Sequence, residues 1–385
     1  MKAVMYGAGN IGRGFIGQLF SASGYKVTFI DIAEQIIEAL NRDGRYPVRF
    51  LSNEGQQDIW VEGVTAVNGG DSEKAIEAIA NADIMATAVG VRVLPLIAGT
   101  IAQGIQKRFT RTDQPLDIII CENLINADKL LEELIKKHLT NEEQKLFDKR
   151  IGLVEASIGR MVPIQTEKMQ DGNILRICSE KYGFLPVNKD GFKGKIPEIT
   201  GMLAFSNFAF FTERKLFIHN MGHGIFAYFG MFLGDEFIYQ TVNRKEILVF
   251  AKNAMKESAE ALSKKYGIAI ADLDEHIEDL LSRFSNRALG DTCARVGADT
   301  TRKLGGEDRF IGAIKLCESQ NIKPQYISIG TAAAIYRYLE EQKIPQGVEA
   351  AQKVLEEISG LDKNSCGSLL VVSMYSRLFL FESLV

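Results

Sequence analysis

Apolar runs and helically spaced apolar positions alternate along the first third of the chain. Residues 2–6 form a short apolar run that stops at Gly7. Ile11, Phe15, Ile16, Leu19 and Phe20 then recur at helical spacing as far as Gly24, and residues 26–30 are, after Lys26, a β-branched and aromatic run that ends at Asp31. That is strand, glycine turn, helix and strand in about thirty residues, the order of a βαβ unit. Further apolar strands are expected at 83–89 and 117–121, each followed by a helical stretch, and their near-continuous apolarity suits a parallel sheet covered on both faces. Between Arg45 and Val67 the pattern becomes alternating (Val48, Phe50; Ile59, Val61; Val64, Val67), which predicts an antiparallel insertion. Residues 151–156 read as another strand, ahead of an irregular Gly- and Lys-rich stretch from Asp171 to Lys195.

Beyond Pro197 the period changes. Residues 203–229, 245–266, 273–284 and 348–358 all place apolar side chains at i, i+3 and i+4. The expected architecture is an α/β, Rossmann-type domain over residues 1–195, mostly parallel with an antiparallel insertion, and a mostly α-helical domain over residues 196–385.

The bulk properties narrow the range of partners. A chain of 385 residues is long enough for two cores. A formal net charge of −4 gives no basic field for nucleic acid. No stretch reaches the roughly 20 apolar residues that span a bilayer, and no cationic segment with an apolar run opens the chain, so a cytoplasmic protein without a membrane or nucleic-acid partner is expected. Cys121, Cys178, Cys293, Cys317 and Cys366 are scattered and form no C-x-x-C pair, so they read as reduced, buried thiols without a disulfide framework or structural zinc. Whether the chain is a monomer or a homodimer is not written in it.

Gly7-Ala8-Gly9-Asn10-Ile11-Gly12 fits G-x-G-x-x-G, a weak signal that its context strengthens. A strand precedes it, a helix follows it, and Asp31 closes the next strand 19 residues after Gly12. Gly7 would make the tight turn, Gly9 would admit a pyrophosphate against the backbone, and Gly12 would let helix and strand pack closely. The helix N-terminus then offers N–H groups to phosphate. Asp31 could accept from both ribose hydroxyls and would repel a 2′-phosphate, so NAD is the expected cofactor. Thr87-Ala88-Val89, followed by Gly90, lies just past a second parallel strand and is expected to line the same site.

In the second half, Lys215, Asn220 and His223 are spaced as K-x4-N-x2-H. On a continuous α-helix Asn220 lies about 140° from Lys215, His223 about 80° and His219 about 40°. One side of the helix therefore carries all four, and geometry alone does not choose between the histidines. Alone, each would read as a solvated or core residue. Together they supply what alcohol oxidation needs: a desolvated amine as base, an amide donor for the alkoxide-like oxygen, and an imidazole to hold it.

These segments resemble the polyol-specific long-chain dehydrogenase family over essentially the whole chain. The resemblance is carried by the opening, extended through Arg13-Gly14-Phe15-Ile16-Gly17, by Thr87-Ala88-Val89-Gly90, by Cys121-Glu122-Asn123, by Glu213-Arg214-Lys215-Leu216-Phe217 and by Arg302-Lys303-Leu304. It implies an NAD-dependent, zinc-independent enzyme that interconverts mannitol 1-phosphate and fructose 6-phosphate. By the same resemblance Lys215 is the base, Asn123 and Asn220 form the oxyanion hole, and the motif's histidine is His223. Arg295 and Lys303 would reach a hexitol or sugar phosphate as cations, and no metal is implied. An unphosphorylated polyol or a hexuronate is the alternative substrate class, and a non-catalytic NAD-binding role is a third reading against which the base and donors argue.

The chain departs from the family's pattern where substrate is read. A Val-Asp-Arg stretch becomes Ile158-Gly159-Arg160, and R-V-x-R-x-P becomes Arg295-Val296-Gly297-Ala298-Asp299-Thr300. An Asn-Pro turn becomes Asn286-Arg287. A lost carboxylate-to-hydroxyl bond is worth about 1.5–3 kcal/mol, so unchanged chemistry with altered substrate preference is expected, and Gly159→Asp is the substitution that would test it.

Overall fold

The computed structural model describes residues 1–381. They divide into two compact units, residues 1–208 and residues 209 onward.

The first unit is α/β. Its strands are β1 (Lys2–Tyr6), β2 (Lys26–Asp31), β3 (Arg45–Ser52), β4 (Gly55–Glu62), β5 (Val64–Asn68), β6 (Ile84–Thr87), β7 (Leu116–Ile120), β8 (Ile151–Glu155), β9 (Ile177–Ser179), β10 (Leu185–Asn188) and β11 (Met202–Phe205). Six form one parallel sheet in the order β5-β2-β1-β6-β7-β8. Successive residues of β1 serve opposite faces: Ala3 and Met5 enter one core, Val4 and Tyr6 the other. A strand buried on both faces has no polar side to show, which is why its sequence reads as a run rather than an alternation. The chain leaves β1 for β2 and β5, then returns to β6 on β1's other side. The carboxyl ends of β1 and β6 therefore flank a topological switch point, the place where open α/β sheets bind ligands.

Two expectations are corrected in this unit. β3 and β4 do form an antiparallel hairpin, but Val64 and Val67 lie outside it, in β5, which pairs parallel with β2. Gly63, at φ 70°, turns the chain out of the hairpin and into the main sheet. The helix expected over 203–229 starts only at Ala209. Residues 202–205 are instead β11, parallel to β10, and Asn207 at φ 56° separates strand from helix. That pairing keeps residues 196–208 with the first unit, past the boundary expected at 195.

The second unit is helical, and the helices expected from periodicity are found at Lys245–Tyr266, Ile270–Phe284 and Val348–Glu357. At its centre Met221–Leu233 is buried all round over residues 221–230. Three glycines give its neighbours room. A Cβ at Gly222 would stand 2.6 Å from Met255 Sδ, one at Gly224 would stand 2.9 Å from Phe310 Cζ, and one at Gly230 would collide with Cys293 Sγ. Each glycine costs about 0.5–1 kcal/mol of helix propensity, which close packing offsets. Among the described residues no helix is long and apolar enough to cross a membrane. Cys121, Cys178, Cys293 and Cys317 are buried as expected, whereas Cys366 is exposed, at the first turn of Cys366–Phe381.

Candidate functional site

The glycine loop sits where β1 ends. Gly7 has φ 103°, and its N–H donates to Ile30 O at 2.8 Å, closing the turn onto β2. A Cβ at Gly12 would overlap the Gly7 carbonyl oxygen, so only hydrogen fits there. A Cβ at Gly9 would meet nothing within 4 Å, which leaves open space above the loop. Gly12–Ile16 is a π-helical turn, sealed by Gly17 N–H donating to Gly12 O. Asn10 is tied to Pro163 O by its carboxamide at 3.2 Å.

Asp31 faces this loop. Its Oδ2 accepts from Ala8 N–H at 2.6 Å, and its Oδ1 accepts from Ile32 N–H at 2.8 Å and Ala33 N–H at 3.0 Å. A carboxylate offers about four lone-pair sites. Three are engaged, so in this conformation Asp31 has room for one ribose hydroxyl rather than the two expected. The carboxylate, the open space at Gly9 and the turn at Gly7 together fit a dinucleotide.

Across the switch point, Thr87 ends β6 with its hydroxyl enclosed and unpartnered. Ala88 N–H donates to Tyr6 O at 2.9 Å, while Val89 and Gly90 donate to the two carboxylate oxygens of Glu122 at 3.0 and 2.8 Å. Glu122 thus shapes the Thr87–Gly90 turn, a role that no spacing in the sequence signalled. Asn123 follows it as an exposed residue just past β7. At the end of β8, burial and the nearby Asp128 push the Glu155 carboxyl up to about 6.

Two buried arginines brace the loop from beneath. Arg13 donates Nε to Ala8 O and Nη1 to Leu175 O, both at 2.6 Å. Arg160 donates to Tyr182 O at 2.5 Å and Gly14 O at 2.7 Å, and lies 4.3 Å over the Phe15 ring; burial draws its pKa down to about 10. Beside it, a Cβ at Gly159 would stand 2.9 Å from Cε1 of Tyr182. The space left by the missing carboxylate is therefore filled by a tyrosine ring.

In the second unit the lysine motif does not lie on a continuous α-helix. Lys215–Asn220 is a π-helical turn between Ala209–Arg214 and Met221–Leu233, with Met221 N–H reaching back to Leu216 O. The wider turn replaces the 100° step on which the expected angles rested. Lys215 opens the turn half-buried and Asn220 closes it. The Asn220 carbonyl meets Nη1 of the buried Arg309 at 3.5 Å, the limit of a hydrogen bond.

The two histidines part company here. His219 sets its ring against Phe284 at 5.5 Å, and burial together with Arg283, His223 and Lys215 keeps it neutral. His223 stacks on Phe284 at 4.6 Å and 12°, with Nε2 3.1 Å from Asp291 Oδ2. The ring N–H is not aimed along that line, so Nε2 has no well-aligned hydrogen bond in this conformation. Asp291 is buried, which alone would raise its pKa; His223 and Arg295 outweigh burial and lower it.

The expected substrate cations are placed differently. Arg295 binds Asp291 Oδ1 through Nε at 2.7 Å and Nη2 at 2.5 Å, with its side chain 35% exposed. Lys303 is buried, and its ammonium donates to the carbonyls of Val296, at 2.7 Å, and Ala298. Burial, with Arg309 and Arg302 nearby, draws its pKa down to about 7. Thr300, which stands where the family pattern has proline, donates its hydroxyl to Glu341 at 2.6 Å. Among the described residues no group of three or more His, Cys, Asp or Glu could hold a metal ion.

Comparison with known proteins identifies this pair of units. The model of the mannitol dehydrogenase Rossmann domain matches residues 1–201, and that of the mannitol dehydrogenase C-terminal domain matches residues 207–367. A mannitol-1-phosphate 5-dehydrogenase of Bacillus pumilus is 37% identical over 371 residues, covering 94% of this chain and 96% of that protein. Among solved structures, a D-sorbitol dehydrogenase aligns with a TM-score of 0.82 at 14% identity, over 99% of this chain and 93% of that one. Mannitol 2-dehydrogenase of Pseudomonas fluorescens, in complex with NAD and D-mannitol, aligns with a TM-score of 0.77 at 13% identity, over 99% and 92%. Those two structural likenesses show a shared fold; the family models and the 37% identical relative show more. The chain belongs to the mannitol dehydrogenase family and is a dehydrogenase.

Proposed function

We propose that the chain interconverts mannitol 1-phosphate and fructose 6-phosphate with NAD, using Lys215 as general base and no metal. The observation that carries this reading is Lys215 and Asn220 at the two ends of a π turn that runs directly into the buried helix of His223, the histidine beside a buried carboxylate, in a chain 37% identical to a mannitol-1-phosphate 5-dehydrogenase. Gly7, Ala8, Gly9, Asn10, Ile11 and Gly12 would hold the NAD pyrophosphate, Asp31 a ribose hydroxyl, and Thr87, Ala88 and Val89 the far side of the cofactor. When bound, NAD supplies the hydride acceptor. Lys215 Nζ takes the hydroxyl proton, a step worth about 10²–10⁴ in rate. Charge growing on the substrate oxygen is met by amide donors, Asn220 and the Asn123 assigned by resemblance, and by His223. Arg295 keeps enough exposure to touch substrate, whereas Lys303 is committed to carbonyls and acts on the shape of the 293–303 segment.

The Tyr182 ring at Gly159 favours a second reading, the same chemistry on an unphosphorylated polyol or a hexuronate. The deciding experiment is NADH oxidation with fructose 6-phosphate and with fructose, for wild type and Lys215→Ala. Turnover of the phosphate only, lost in the variant, supports the first reading. Turnover of fructose only moves the assignment to the second. Equal turnover in Lys215→Ala removes the lysine base.

A further inference from the structure

We propose that Asp291 is a positioning residue for His223: anchored by Arg295, its carboxylate holds the imidazole by Nε2 and presents Nδ1, as an acceptor, to a substrate hydroxyl. This rests on the reading that the Lys215 helix carries the chemistry.

The carboxylate is fixed from three directions. Its own backbone carbonyl accepts from Ile238 N–H at 2.9 Å, and Cys293 N–H donates to Glu236 O at 2.9 Å. The Thr292 side chain caps the turn Cys293–Gly297 by accepting from Arg295 N–H, which sets Arg295 four residues on and directly over Asp291. Both guanidinium contacts fall on Oδ1, and Oδ2 is left to His223. The segment is pressed against the His223 helix by Cys293, whose sulfur fills the space where a Cβ at Gly230 would be.

The ring is fixed in only one respect by its packing. Stacking on Phe284 at 12° sets its plane but not which nitrogen points where, because a half-turn about the ring axis preserves the stack. The carboxylate breaks that symmetry: the nitrogen beside it keeps its proton, and the other is left with a lone pair. Nε2 is enclosed and lacks an aligned partner, a condition that costs about 1–3 kcal/mol for a buried polar group. A small ring rotation on substrate binding would close the bond to Oδ2. Hydrogen bonds that are misaligned without substrate commonly tighten in this way.

The test is a double-mutant cycle with a spectroscopic readout, on the full chain. Asp291→Asn should lower kcat/KM for mannitol 1-phosphate about tenfold or more, with NADH affinity unchanged. In a His223→Ala background the same substitution should cost less than about twofold, since the partner through which it acts is gone. Losses that multiply overturn the proposal. Asp291→Glu, which keeps an anion for Arg295, guards against a folding failure and should show the same dependence on His223. Histidine ¹⁵N shifts supply an independent measure, with only four histidines to assign. His223 should carry its proton on Nε2 in wild type and lose that preference in Asp291→Asn, and a wild-type ring protonated on Nδ1 overturns the proposal. If Lys215→Ala keeps full turnover, the helix reading fails, while the tautomer result still stands or falls alone.

Discussion

Each unit places a π-helical turn at its candidate site, and the two turns are held by different means. Gly12–Ile16 is locked through the backbone. Arg13 from its middle donates to Ala8 O and Leu175 O, Tyr46 donates its hydroxyl to the Arg13 carbonyl at 2.8 Å, and glycines admit the close contacts. Lys215–Asn220 buries Phe217, Ile218 and His219 and presents side chains from its ends. Turns of this kind recur at functional sites. The first unit needs a shape that backbone atoms can line, so its requirement is written as glycines. On the proposed mechanism the second needs three different side chains held apart at set positions, and the altered helix would meet that.

The contrast can be broken in a graded series. Lys215→Ala should have the largest effect, a fall of about 10²–10⁴ in kcat, with the melting temperature nearly unchanged because Lys215 is half-buried. Steady-state kinetics beside a thermal melt reads both, and a melt that falls with activity would mean that the second turn is structural like the first. Gly12→Ala should do the opposite, costing about 1–3 kcal/mol by overpacking against the Gly7 carbonyl and abolishing NADH binding; denaturant midpoints and NADH fluorescence report it. Gly159→Asp should cost about 1 kcal/mol by displacing Tyr182, and Tyr182→Ala in the same chain should recover it.

pH separates the units by sign. Glu155 is raised by burial and Asp128 to about 6, so its folded pKa exceeds its unfolded value of 4.5. Its contribution is fully present below 4.5 and lost as pH climbs through 6. Lys303 is lowered by burial, Arg309 and Arg302 from 10.5 to about 7, so the folded state binds fewer protons and stability rises with pH from about 7 towards 10.5. Urea midpoints against pH should lose the acid-side slope in Glu155→Gln and the alkaline-side slope in Lys303→Met, each on the order of 1 kcal/mol. The smallest effect belongs to Gly9→Ala: stability within about 0.5 kcal/mol, since its Cβ meets nothing, but weaker NADH binding if the loop is where the cofactor lies.

Legibility in the sequence followed the same division. The βαβ order and the glycine loop could be read because burial on both faces and close backbone approach each demand a residue type. The helix at Lys245–Tyr266 could be read because its apolar stripe has one period. Helical periodicity extends over β11 because four residues, Met202–Phe205, are too few to show a period of their own. The π turns were illegible because apolar spacing does not reveal whether an N–H reaches back four residues or five. Asp291 and Glu122 are illegible for another reason. Each acts on a partner distant in sequence, His223 and the amides of Val89 and Gly90, and nothing local marks a carboxylate as one that will be buried.

The all-round burial of residues 221–230 has a consequence for how the protein breathes. No face of that helix can loosen by itself, because each is covered by another element; Met255, Phe310 and Cys293 each lie against one of its glycines. Its amide protons should therefore exchange with solvent only when the whole second unit opens, at the slowest rate the unit shows. The helix that bears His223, directly after the turn that carries Lys215 and Asn220, would then be among the last parts of the second unit to unfold.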